Sequence, residues 1–90
     1  MAYADILLEV PEMGLTKDAA ADEFYRVGLV YAEGLGVPAD HVAAHKWFNL
    51  AASRGHIDAR ICREEMADMM ESDQIRTAQR AAREWLKKAN

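Results

Sequence analysis

The sequence predicts an all-α fold: two antiparallel helix–turn–helix pairs, stacked as a short α-solenoid behind an N-terminal extension. Three observations predict it. Four stretches carry apolar residues at helical spacing, separated by glycine, proline or capping side chains. Strand patterning is confined to Ile6–Val10, which Pro11 cuts off. One segment also recurs. Ala43-Ala44-His45-Lys46-Trp47-Phe48-Asn49-Leu50-Ala51 aligns without gaps on Ala81-Ala82-Arg83-Glu84-Trp85-Leu86-Lys87-Lys88-Ala89, which sets Trp47 and Trp85 38 residues apart.

The first helix starts after Thr16, whose hydroxyl can cap a free backbone N–H, and its acids Asp18, Asp22 and Glu23 suit the positive pole of the helix dipole. Phe24, Val27 and Tyr31 form one apolar row and Tyr25 and Leu29 a second, so the helix packs on more than one side. Gly28 sits mid-helix at a cost of about 1 kcal/mol relative to Ala, which the close approach of another helix backbone would offset. Gly34 ends the helix in the left-handed conformation. Gly36 and Pro38 turn the chain, and Asp40 caps the second helix, about 41–53. There Ala43, Ala44 and Ala51 flank Trp47, small residues that admit a neighbour around one large ring. Gly55 closes this helix as Gly34 closes the first. The third helix, about 57–70, begins near Asp58 and lines up Ala59, Cys62, Met66, Met69 and Met70. Ser72 or Asp73 opens the fourth, about 73–88, with Ile75, Ala78, Ala82, Trp85 and Leu86 as its stripe.

Composition narrows the function classes. Of 90 residues, 51% are hydrophobic and 29% charged, the balance of a globular domain rather than a disordered chain. No run approaches the ~18 apolar residues of a membrane span, and the start lacks the basic segment of a secretory signal. Cys62 is the single cysteine, so no internal disulfide forms, and a cytoplasmic location is the expectation. The net charge of −4 divides into −6 over residues 1–45 and +2 over 46–90, a polarity that favours head-to-tail association.

Candidate chemical sites are few. His41 and His45 have the i, i+4 spacing of paired metal ligands, but no third ligand is fixed by the sequence. They read as solvent-facing helix positions. Cys62 with His56 as base reads instead as a small buried hydrophobe among methionines, and Met66, Met69 and Met70 as core filling beneath the last helix, with an adaptable binding surface as their second reading. Glu64 and Glu65 point in different directions on a helix, and Gly34-Leu35-Gly36 is a turn between helices rather than a phosphate loop. Arg76, Arg80, Arg83 and Lys87 share one side of the fourth helix. A solvated face is the first reading and an acidic protein partner the second; the acidic total and the lack of interleaved aromatics weigh against nucleic acid.

Residues 27–55 carry a resemblance. Val27-Gly28-Leu29-Val30-Tyr31-Ala32-Glu33-Gly34-Leu35-Gly36-Val37-Pro38-Ala39-Asp40, then Ala44, Lys46-Trp47-Phe48, Ala51-Ala52 and Gly55, resemble the Sel-one-like repeat, a relative of the tetratricopeptide repeat found in bacteria and eukaryotes. Val27 stands where the family pattern has leucine. Residues 1–15 are then an extension, 16–55 a full repeat and 56–90 a degenerate, capping repeat. In the second copy Arg63-Glu64 and Ala67 replace Val27-Gly28 and Tyr31, and such charges cannot accept a further stacked repeat without losing water. Phe24, Tyr25, Leu29 and Val30 need cover, from residues 1–15 or from a second molecule.

The resemblance implies a non-catalytic adaptor with no cofactor, whose first helices line a concave surface for a protein or peptide partner. Carried over by position, Tyr25, Arg26, Leu29, Arg60, Arg63 and Glu64 are the expected contacts. Gly28, Tyr31, Gly34, Gly36, Asp40, Trp47, Ala51, Gly55 and Trp85 are the structural signature. The alternative is a self-associating unit that works as a homo-oligomer, since stacked repeats usually need about three units for stability.

Overall fold

In a computed structural model that describes residues 10–89, helices cover Ala21–Glu33 (α1), His41–Ser53 (α2), Ile57–Ala67 (α3) and Ser72–Lys88 (α4). No strand occurs among the described residues. Residues 6–9 of the strand-like stretch lie outside them, and Val10 has no regular structure.

Helix α2 is the centre, and α1, α3 and α4 each make their principal helix contacts with it. Small residues permit this. Ala44 and Ala51 on α2, Ala59 on α3, and Ala78 and Ala82 on α4 are all buried, so neighbouring helices come close. Trp47, 0% exposed, fills the space the alanines leave. Its ring lies 6.0 Å from Phe24 of α1, stacked, and 5.0 Å from Trp85 of α4, edge-on. Phe24 and Trp85 close the triangle at 5.5 Å, also edge-on. Aromatic pairs in such geometries contribute roughly 0.5–1.5 kcal/mol each beyond the area they bury. Trp47 thus fills the gap between small residues as expected, and the partly buried Trp85 packs against it.

Gly28 has a different neighbour from the one expected. A Cβ there would lie 2.6 Å from two carbons of the Phe48 ring, so the glycine admits an aromatic side chain rather than a backbone.

Several helix starts also differ from expectation. Thr16 does not cap α1; its carbonyl accepts from Ala19 N in a turn, and the helix begins at Ala21. Glu23 explains the shift, because its carboxylate accepts the Ala20 N–H at 2.8 Å and so supplies the cap from inside. α3 starts at Ile57 as expected, capped by His56, whose Nδ1 accepts from Ala59 N at 3.1 Å, and it ends at Ala67 rather than near 70. Gln74 fixes the start of α4 by accepting the Glu71 N–H at 2.9 Å, which places the cap one residue before Ser72. Asp40 caps α2 as expected, through Ala43 N at 3.0 Å.

Residues 10–20 are fastened to this frame. Leu15 and Ala19 pack against the core, and the Tyr31 hydroxyl donates to Glu12 Oε1 at 2.7 Å. Burial and that carboxylate push the Tyr31 hydroxyl far above its ordinary pKa. Arg54, just past α2, donates to the Ala19 carbonyl at 2.8 Å and sets its guanidinium 4.9 Å over Phe24.

The packing at Gly28 is testable. Gly28→Leu must drive Phe48 off its seat, and overpacking of this kind costs about 2 kcal/mol or more. The expected outcome is a clear drop in the thermal midpoint by circular dichroism. A midpoint equal to the parent's would refute the packing account.

Candidate partner-binding groove

Two turns set the first helices of the pairs in place. Gly34 ends α1 at φ 69°, the left-handed region that glycine enters without strain, and its N–H bonds the Val30 carbonyl. The Asp40 N–H then reaches the Tyr31 carbonyl at 3.0 Å, which folds α2 back along α1. Gly55, at φ 90°, makes the second reversal and leads into α3.

Because α1 and α3 are each held by α2 rather than by one another, a groove of about 190 Å³ remains between them. Phe48 of α2 lies in it. Leu29 and Ala32 line it from α1; Cys62 and Met66 line it from α3, with Met69 just beyond. Glu33 and Glu65 also line it, and no lysine or arginine does.

The structure distributes the six expected contacts over several places. Leu29 lines the groove. Tyr25 is half-buried nearby, 6.0 Å from Phe48 and stacked 4.2 Å from the His56 imidazole. Burial and the neighbouring Cys62, Asp58 and Asp22 raise the Tyr25 pKa. Arg26 belongs to another surface. It pairs with Asp22 at 3.1 Å and lines a second hollow, of about 380 Å³, with Val10, Val27, Val30, Leu35 and Val37. Arg60 is exposed beside Ala52, Gly55 and His56. Arg63 turns inward and donates to Asn49 Oδ1 of α2 at 2.8 Å. Glu64 is exposed outside the groove.

Residues the sequence reading did not assign to binding make up the rest of the lining: Ala32, Glu33, Phe48, Cys62, Glu65, Met66 and Met69. The signal was present in the i, i+3, i+4, i+7 spacing of 62, 65, 66 and 69. For the methionines core filling is the first reading and an adaptable binding surface the second. Met66 is indeed buried, and Cys62 and Met70 pack against the core. Met69, beyond the end of α3 at Ala67, is 61% exposed and is not part of the buried core.

The histidine pair departs from expectation too. His41 is exposed, but His45 is 3% exposed, and its Nδ1 has no hydrogen-bond partner among the described residues. The i, i+4 pair thus spans two environments, because position 45 turns into the packed side of α2 while 41 stays at its open first turn. Burial, with the nearby Arg63 charge, lowers the His45 pKa. His56 is occupied by its cap and its stacking, with Nε2 3.5 Å from Asp22, so it does not stand free as a base for Cys62. Among the described residues no group of three or more His, Cys, Asp or Glu is placed to hold a metal ion. No helix of the described residues is long and apolar enough to cross a membrane.

Comparison with known proteins gives one match. The family model described as Sel1 repeat matches residues 25–56 and 66–90. No curated protein and no solved structure matches the chain.

His45 makes stability depend on pH in a definite direction. The folded state keeps the neutral ring, while the unfolded chain takes up a proton near the ordinary value of 6.5. Stability is therefore whole above that pH and declines as pH falls below it. The expected outcome is a thermal midpoint that falls between about pH 7 and about pH 5 more steeply in the parent than in His45→Leu. Parallel curves for the two proteins would remove His45 from the account.

Proposed function

The chain belongs to the Sel1 repeat family, and from that premise we propose that it is a non-catalytic adaptor holding a protein or peptide segment in the α1–α3 groove. Sel1 repeats are generally protein-interaction modules. The observation that carries the reading is the groove itself, lined by the partly exposed Leu29, Ala32, Cys62 and Met69 over the buried Phe48 and Met66, between two helices that do not close on each other. Leu29 and Tyr25 belong to this surface; Arg26, Arg60 and Glu64 act, in this reading, at its margins or elsewhere. Residues 16–55 form the full repeat and 56–90 the closing one, whose exposed Arg60, Glu64, Glu65 and Asp68 keep water on the outer side. A cytoplasmic setting fits the single Cys62.

A second reading has its own support. The hollow lined by Val10, Val27, Val30, Leu35 and Val37 leaves Leu35 56% exposed, and a second copy of the chain would cover it. Sedimentation velocity at micromolar concentration separates the two. A monomer sets the homo-oligomer aside, whereas a dimer that Leu35→Asp dissociates establishes it.

The adaptor reading is tested by crosslinking in the native host, with the full chain as bait. Ala32→Phe places a ring in the groove, and Met69→Asn removes apolar surface at an exposed position. Both variants are expected to keep the parent's circular dichroism and to lose the partners the parent captures. Partners retained by both folded variants would mean that binding uses some other surface.

A further inference from the structure

We infer that the segment the groove accepts is basic: a large apolar side chain flanked by lysine or arginine. This deepens the adaptor reading and rests on it. The argument begins with the two carboxylates. Glu33 is the last residue of α1 and Glu65 lies in the last turn of α3. Both therefore sit at the negative pole of a helix dipole, where an acid is unfavourable and a cation is preferred. Neither helix has a basic residue in its last turn.

Other acids of the chain are engaged nearby. Glu12 accepts from Tyr31, Glu23 from Ala20 N, and Asp40 from Ala43 N, while Asp22 pairs with Arg26. Glu33 and Glu65, like the exposed Asp18, Asp58, Glu64, Asp68 and Glu84, have no side-chain ion pair or hydrogen bond among the described residues; what sets these two apart is that they line the groove, whose described lining holds no cation. Two carboxylates and two helix C-termini thus turn a negative field onto an apolar floor. Helix stability does not account for the acids, since it opposes them. A cation from outside does.

The size and softness of the site define the rest of the ligand. About 190 Å³ is below the ~300 Å³ at which small-molecule pockets usually begin, and it suits one large side chain on a longer segment. Met66 and Met69 are flexible and polarisable, so they adapt to a long aliphatic or an aromatic anchor alike. A segment with that anchor and neighbouring cations satisfies the floor and the rims at once.

The test is a random peptide library displayed on phage and selected against the full chain. Selected peptides are expected to carry an apolar residue with lysine or arginine close by. Their affinity is expected to fall at least about tenfold in Glu33→Gln/Glu65→Gln, and to weaken as salt is raised from about 0.1 M to about 1 M. The same double variant is expected to melt at or above the parent's temperature, because it relieves the conflict with the dipoles. Peptides without basic bias, affinities unchanged in the double variant, or a double variant that melts earlier would each overturn the inference. Ala32→Phe separates the two levels of the argument. If it abolishes binding while Glu33→Gln/Glu65→Gln does not, the groove stands and its charge preference is wrong. If basic peptides bind Ala32→Phe undiminished, the groove reading itself has failed.

Discussion

Phe24, Trp47 and Trp85 come from three helices and meet in one triangle of rings, and the rest of the fold is arranged to let them meet. Their contacts require α1 and α4 to lie against α2 at short range. Alanines at 44, 51, 78 and 82 supply that range, since a larger side chain at any of them would hold the helices apart. Gly28 performs the same service for Phe48 one face around α2. Arg54 then ties the segment before α1 to the end of α2 and covers the Phe24 ring. In a domain of 90 residues, which buries a modest share of its surface, this concentration of aromatic contact substitutes for a larger core.

The same hub explains why a surface is left open. A helix that serves as partner to all the others cannot also bring its partners together, so α1 and α3 flank α2 and leave a groove between them, with the buried Phe48 at its base. The side chains between them then face both the core and solvent. Met66 belongs to the core and to the groove at once, and Leu29 packs against the core while lining the groove. Binding and folding share residues here. A substitution in the groove is best judged by melting and binding together.

What the sequence made readable were features whose cause is local. Gly34, Asp40 and Gly55 lie where their own backbone geometry or capping chemistry requires, and the period of α2 and α4 is visible in their apolar residues. Helix starts were less readable where the cap came from a residue inside the helix. Glu23 and Gln74 take the role the sequence suggests for Thr16 and for Ser72 or Asp73. Tertiary placement was hidden for a different reason. His41 and His45 look alike on one helix face, and only the tertiary packing decides that 45 is enclosed and 41 is not. The six expected contacts were chosen by position in a repeat, which fixes the helix but not the face. Arg26 accordingly fell on the far side of α1, and Arg63 turned inward to Asn49.

The ring triangle has an optical consequence. Both indoles of the chain belong to the same cluster, with their centroids 5.0 Å apart, so they are coupled chromophores and not two independent reporters. Their emission and near-ultraviolet dichroism register the docking of α1 and α4 on α2 as a single signal. The α1–α3 cleft contains neither indole in its walls, and a guest settling there would leave that light largely unaltered.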